Sequence, residues 1–168
     1  MTKEHNYSLT IEWTGNKGEG TTRYDAYDRD YNISAENKID LLGSADAPFR
    51  GDITKYNPED FLLASLSSCH MLWCFNLCED NGIIVTDHID HPRGILLQNE
   101  TGSGAFTEVN LNPVVTVKEP TMIEKSLELH ELANQKCFIA NSVNFPIKHN
   151  PTSTVKKIII QWHFSHRT

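Results

Sequence analysis

The sequence predicts an α+β fold in which antiparallel sheets pack around two central helices, within a single domain spanning residues 1–168. Apolar and polar residues alternate in several segments, which is typical of half-buried strands. An apolar stretch without formal charge at residues 61–78 indicates a buried helix. A second helix is indicated at about residues 120–135. Runs of strands separated by two helices favour an α+β fold with antiparallel sheets.

The first predicted strand lies near the N-terminus, where Tyr7, Leu9, Ile11 and Trp13 alternate with polar residues. A glycine-rich turn follows it, and residues 45–56 contain the Pro, Gly and Asp typical of a loop. The other predicted strands cover residues 22–31, 38–42, 83–90, 95–98, 106–117 and 155–164.

The first helix has clear start and stop signals. Asn57 suits the N-cap, Pro58 the first helical position, and Glu59 the negatively charged first turn. The pattern continues to about Asn81, and Gly82 ends it. Apolar residues surround this helix, so it has to be covered on most sides. A second subunit would supply the cover that one small domain lacks.

Composition limits the partners and the location. The formal net charge is −7, and no cluster of Lys and Arg offers a nucleic-acid surface. No apolar segment follows the first residues, which predicts a cytoplasmic protein. Residues 61–78 are barely long enough to span a membrane and include Ser, His and Asn, so we expect a soluble protein with no membrane partner.

Four cysteines, Cys69, Cys74, Cys78 and Cys137, are the residues most suited to redox chemistry. Three lie on one predicted helix, whereas a secreted disulfide framework spreads its cysteines through loops. A peroxide-reducing cysteine must be a thiolate, must be reachable, and needs a second thiol to trap its sulfenic acid. Cys69 and Cys137 are candidates for such a pair, although buried cysteines commonly serve only as packing residues.

Two motifs point to one family. Residues 57–70 read NPEDFLLASLSSCH, in which Asn-Pro-Glu opens a helix and Cys69 follows Glu59 by ten residues. Residues 136–142 read KCFIANS, with Cys137 in second place. Both segments, in this order, resemble the signature of the OsmC/Ohr family. This chain departs from that pattern at His70, where Phe is common, and at Phe138, where Pro is usual, which suggests a divergent branch.

The resemblance implies an activity: thiol-dependent reduction of organic hydroperoxides and, less efficiently, of hydrogen peroxide. Cys69 would attack the O–O bond, and Cys137 would close a disulfide with it. Glu59 would hold an arginine that stabilises the Cys69 thiolate. The family implies no cofactor and no metal, and it implies an external dithiol reductant such as lipoamide.

The resemblance does not decide which arginine of this chain would stabilise the Cys69 thiolate. Arg50 precedes Glu59 by nine residues, and a loop leading into the helix can fold back so that the two pair bidentately. We therefore favour Arg50. Arg29 and Arg23 fall near the earlier loop that Ohr-type members use, and they are the alternatives.

The spacing of Glu59 and Cys69 predicts a homodimer. Ten residues of helix separate them by roughly 15 Å along the axis, so one chain cannot bring both to one site. Two copies of the helix packed antiparallel about a twofold axis would place Glu59 of one beside Cys69 of the other. We expect two interfacial active sites per homodimer.

Two other functions remain open from the sequence. A family member could bind a small apolar ligand or sense redox state without catalysis. His70, Cys74 and Cys78 are spaced i,i+4 on one helix face, which could seat a metal, but this is only half a ligand set. We therefore expect no metal site.

Overall fold

The computed structural model describes residues 2–156 and confirms the α+β class. Its two α-helices are α1, Pro58–Asp80, and α2, Ile123–Lys136. The chain divides into two compact units, Met1–Leu62 and Leu63–Thr168. The organisation of the whole chain as one domain stays a prediction.

The first unit contains one antiparallel sheet. Its strands are β1, Thr10–Trp13, β2, Tyr31–Ser34, and β3, Leu41–Gly43. The predicted strand at residues 22–31 is wrong, because β2 begins only at its last residue. Turns and bends occupy residues 22–26, and an isolated antiparallel bridge joins Tyr27 to Asn16. The indole N–H of Trp13 donates to the carbonyl of Asp28 at 2.9 Å, which fixes this irregular segment against β1.

Helix α1 begins and ends as the sequence predicts. The Asn57 side-chain oxygen accepts from the N–H of Asp60 at 2.8 Å, and the Asp60 carboxylate accepts from the N–H of Asn57 at 3.1 Å. This reciprocal cap satisfies two backbone donors that the helix would otherwise leave unpaired. Gly82 lies just past the helix end with φ 69°, a conformation that favours glycine.

The second unit contains two three-stranded sheets of mixed direction. The antiparallel prediction holds for half of their strand pairs, but β6 pairs with β8, and β7 with β9, in parallel. The predicted strand at 106–117 is two strands interrupted at Pro113, which cannot donate to a ladder. The strands are β4 (Val85–Ile89), β5 (Arg93–Gln98), β6 (Gly104–Leu111), β7 (Val114–Val117), β8 (Ile147–His149) and β9 (Thr152–Val155). Apart from its first two residues, the predicted strand at 155–164 lies outside the described residues.

The core of the second unit joins the two helices. Cys74, Leu77 and Cys78 of α1 pack with Leu129 and Ala133 of α2, and all five are at most 5% exposed. Helix α1 is long and apolar enough by composition to cross a membrane. Its contacts with α2 are instead those of a core helix.

Much of the apolar surface of α1 stays uncovered within one chain. Only five residues of α1 are buried, and Leu72 is 61% exposed. In the first unit, Leu9, Ile11 and Leu42 are likewise each 59–64% exposed. Exposed apolar surface of this kind is characteristic of a protein interface.

Candidate active site

Two cysteine thiols that are far apart in sequence meet in the second unit. Cys69 is half-buried on α1, and Cys137 caps the C-terminal end of α2, where it is 1% exposed. Their side chains lie within hydrogen-bonding reach of each other, and both thiols are free. The spacing of the two residues in the chain carries no signal of this contact, which arises from the packing of α2 beside α1.

The two thiols have unequal environments. Burial and the hydrogen bond with Cys69 raise the pKa of Cys137 to about 11, while the N–H of Ala140, 3.3 Å from its sulfur, opposes the shift. Cys137 therefore stays protonated near neutral pH and donates to Cys69. Cys69 is the more exposed of the two thiols. This difference suits Cys69 to react first with an oxidant and Cys137 to form the disulfide afterwards.

The two chain neighbours of Cys137 both pack against the same aromatic ring of α1. The rings of Phe138 and Trp73 meet edge to face with centroids 5.7 Å apart. The Lys136 ammonium lies 5.2 Å from the centroid of the Trp73 ring. A cation at the C-terminal end of α2 is also favoured by the helix dipole.

Arg29 and Glu59 line one cavity of about 400 Å³ in the first unit. The Arg29 guanidinium lies 4.2 Å and 4.3 Å from the ring centroids of Tyr24 and Tyr27. It also donates to their carbonyl oxygens, at 2.6 Å for Tyr24 and 2.5 Å for Tyr27. Burial and the nearby Glu59 carboxylate raise the pKa of Tyr31, which lines the same cavity. Arg29 is thus a fixed cation in a site that contains Glu59.

Arg50 and Arg23 lie elsewhere in this unit. Arg50 is exposed after a short 3₁₀ turn, with φ 64°, and no ion pair with Glu59 occurs among residues 2–156. Arg23 is exposed and pairs with Asp25 at 3.1 Å. The predicted Arg50–Glu59 pairing therefore stays a prediction without a structural contact behind it. The tyrosines around Arg29 are the sequence signal that could have directed attention to it.

A second cluster of titratable groups is buried between α1 and α2. His70 Nε2 lies 2.9 Å from His130 Nδ1, and the two rings stack with centroids 5.2 Å apart. His130 Nε2 lies 3.7 Å from the sulfur of Cys74, which is 4.0 Å from the sulfur of Cys78. Within residues 2–156 no three His, Cys, Asp or Glu side chains are arranged to hold a metal ion. His130 was missed in the sequence because it lies sixty residues from His70.

The two histidines are neutral in the folded protein. Burial lowers the pKa of His70 to about 4 and that of His130 to about 3, and repulsion from His149 and His88 adds to the shift. Asp90 acts in the opposite direction on His70. An unfolded histidine titrates near 6.5, so the unfolded chain binds more protons as the pH falls below that value.

Acid is therefore expected to destabilise the protein between pH 6.5 and 4. For His70 alone, the lost free energy of unfolding reaches about 3 kcal/mol when the pH has fallen through the whole window. Thermal melting of the wild type and of His130→Leu across this range checks the effect. The melting temperature of the variant should fall less steeply, whereas parallel curves would contradict a buried neutral His130.

A reachable thiol, a buried protonated partner thiol and an α+β fold define a dithiol protein. The family model described as OsmC-like protein matches residues 50–152, so the chain belongs to the OsmC family. That match includes the helix motif at 57–70 and Cys137.

Solved structures with this fold include several bacterial proteins. An OsmC-like protein of unknown function from Vibrio cholerae is 28% identical, with a TM-score of 0.77 over 88% of this chain and 99% of that one. An organic hydroperoxide resistance protein from Elizabethkingia anophelis is 18% identical, with a TM-score of 0.63 over 92% and 100%. Another from Legionella pneumophila is 14% identical, with a TM-score of 0.62 over 91% and 100%. No curated protein matches the sequence.

Proposed function

We propose that this protein is a cytoplasmic, homodimeric, thiol-dependent peroxidase that reduces organic hydroperoxides. The observation that carries the proposal is the contact between half-buried Cys69 and buried, protonated Cys137. Two structural neighbours are named organic hydroperoxide resistance proteins, which agrees with this substrate class.

The chemistry uses only the two thiols and the peroxide. The Cys69 thiolate attacks one peroxide oxygen, the O–O bond breaks, and the alkoxide leaves as an alcohol after taking up a proton. Cys69 is now a sulfenic acid. The Cys137 sulfur attacks the Cys69 sulfur, its proton joins the departing hydroxide to form water, and the Cys69–Cys137 disulfide results. An external dithiol such as lipoamide reduces this disulfide by thiol–disulfide exchange.

The homodimer completes the site in this proposal. Along α1, Glu59 and Cys69 are roughly 15 Å apart, so Glu59 of the same chain cannot serve its own Cys69. Two α1 helices crossing antiparallel would bring Arg29 and Glu59 of the partner subunit to Cys69. Such an interface would bury the exposed apolar surface of α1, including Leu72, and that of β1.

The role assigned to Arg29 follows from its fixed position. Its guanidinium is stacked on tyrosine rings and lines the same cavity as Glu59. The cation is therefore held in place before the peroxide binds. A pre-ordered cation lowers the pKa of a neighbouring thiol and stabilises charge on the leaving oxygen. Glu59 makes no ion pair with Arg29 among residues 2–156, so in this proposal it acts through its negative charge in the shared cavity and does not contact the peroxide.

Turnover of cumene hydroperoxide with dihydrolipoamide tests the proposed function. The purified protein should consume peroxide and dithiol in equal amounts and form one alcohol per peroxide. Absence of turnover would contradict the peroxidase. If a disulfide still formed in a single event, the result would favour the redox-sensing alternative.

Arg29→Ala is expected to slow peroxide reduction on the order of 10²-fold, because it removes an ordered donor from the reacting oxygens. Arg50→Ala and Arg23→Ala are the matched comparisons and should react like wild type. A large loss in Arg50→Ala with normal Arg29→Ala would return the role to Arg50.

A further inference from the structure

The disulfide proposed for Cys69 and Cys137 has two sulfur atoms that a reductant can attack, and these differ in their exposure. Cys69 is half-buried on α1, whereas Cys137 is 1% exposed at the C-terminal end of α2. The rate of thiol–disulfide exchange depends on which sulfur is attacked and on access to that sulfur. Exposure therefore favours attack on Cys69.

The chain that follows α2 closes around Cys137. The N–H of Ala140 donates to the Cys137 sulfur at 3.3 Å, and the carbonyl of Cys137 accepts from the N–H of Asn141 at 3.0 Å. The side-chain amide of Asn141 donates to the carbonyl of Gln135 at 2.9 Å, which ties this turn back to α2. A reductant in solvent can reach the Cys137 sulfur only when this turn opens.

The direction of attack gives the same preference. A thiolate attacks a disulfide sulfur in line with the bond that breaks, so it approaches from the side opposite the leaving sulfur. Attack on Cys69 comes from the side away from Cys137, which is also the side where hydroxide departs when the disulfide forms. Attack on Cys137 would have to come from the side away from Cys69, and at 1% exposure Cys137 offers the reductant no open side.

The surroundings of Cys137 also affect how well its sulfur leaves. Burial raises the pKa of the Cys137 thiol, which alone makes this sulfur a slower leaving group. The N–H groups of Ala140 and Ile139 act in the opposite direction, because they stabilise negative charge on the sulfur. The Ala140 donor is already in place in the reduced protein, so it can stabilise the thiolate as the S–S bond breaks.

We infer that the external dithiol attacks the Cys69 sulfur, so that the mixed disulfide forms on Cys69 and Cys137 is the leaving group. This inference rests on the proposed function. One thiolate of the reductant bonds to the Cys69 sulfur as the Cys69–Cys137 bond breaks, and Cys137 leaves as a thiolate that takes a proton from solvent. The second thiolate of the reductant then attacks the first sulfur of the reductant. Cys69 leaves as a thiolate, and the dithiol ends as a cyclic disulfide after giving two electrons to the protein.

The test starts from the Cys69–Cys137 disulfide made with diamide in the full wild-type chain, so it does not depend on peroxide turnover. Excess 2-mercaptoethanol is added, because a monothiol cannot close a ring and leaves a mixed disulfide. Samples are quenched at successive short times in denaturant with N-ethylmaleimide, and mass spectrometry locates both labels. The earliest samples should carry mercaptoethanol on Cys69 and maleimide on Cys137. Mercaptoethanol first on Cys137, or equally on both residues, would overturn the inference.

Ala140→Pro tests the contribution of the backbone donor, because proline has no N–H and position 140 is the first residue of a 3₁₀ turn. Reduction of the disulfide by dihydrolipoamide should slow about tenfold in this variant, since a hydrogen bond to a charged sulfur is lost. Ala140→Gly keeps the N–H and should react like wild type. Equal rates in Ala140→Pro and Ala140→Gly would remove Ala140 from the mechanism. The mapping in wild type decides the site of attack even if Ala140→Pro fails to fold.

The outcomes distinguish this inference from the peroxidase proposal. Peroxide turnover together with mercaptoethanol on Cys137 would keep the peroxidase and overturn the inference. Mercaptoethanol on Cys69 without any peroxide turnover would support the site of attack and contradict the peroxidase. A protein that forms no Cys69–Cys137 disulfide with either diamide or peroxide would contradict both.

Discussion

Cys69→Ser is expected to reduce the turnover of cumene hydroperoxide on the order of 10³-fold, because serine is not ionised near neutral pH and is a poor nucleophile. The effect should appear in peroxide consumption under saturating dithiol. Near-normal turnover in Cys69→Ser would remove this residue from the mechanism.

Cys137→Ser is the matched comparison for that variant. Serine preserves the size of the side chain, so the buried position next to Cys69 is kept. The first oxidation of Cys69 should still occur, because the attacking thiol is unchanged and the serine hydroxyl can still donate to it. The sulfenic acid should then accumulate, react with dimedone, and advance to sulfinic acid with excess peroxide.

Leu72→Arg is expected to convert the protein to monomers and to abolish turnover. Leu72 is 61% exposed on α1 within one chain, where an arginine is tolerated, but it would place a charge inside the proposed interface. The monomer would keep its thiols and lose Arg29 and Glu59 of the partner subunit. Size-exclusion chromatography with light scattering gives the oligomeric state. A fully active monomer would contradict interfacial sites.

Mixing two inactive variants tests shared sites without disturbing the interface. Cys69→Ser supplies an intact Arg29, and Arg29→Ala supplies an intact Cys69. After subunit exchange, half of the dimers are mixed and each has one complete site, so about a quarter of wild-type activity should return. No recovery, with exchange verified by mass spectrometry, would place Arg29 and Cys69 outside a common site.

The parts of the fold that the sequence predicts are those determined by local chemistry. The capping residues Asn57 and Asp60 and the turn residue Gly82 define α1 closely, because each acts on its own stretch of backbone. The predicted strand at residues 22–31 is wrong because alternation alone does not reveal that its first half forms turns. Residues 27–30 pair with residues 14–16 only through an isolated antiparallel bridge and two backbone hydrogen bonds, which do not make a continuous ladder. The parallel pairing of β8 and β9 is a long-range feature with no local signal.

In the candidate active site, too, the sequence predicts the local motifs but not the long-range contacts. The motif around Cys69 and the segment around Cys137 are readable in the sequence, whereas their contact requires α2 to lie beside α1. The preference for Arg50 over Arg29 rested on distance along the chain to Glu59. That choice stays a prediction, and cation–π contacts and backbone acceptors hold Arg29 in the cavity that Glu59 also lines.

The most direct test of the account is disulfide mapping after reaction of the reduced protein with one equivalent of cumene hydroperoxide. The peroxidase mechanism predicts rapid loss of two thiols and a single linkage between Cys69 and Cys137. Thiols that remain reduced, or a first linkage that uses Cys74 or Cys78 in place of Cys69, would contradict it.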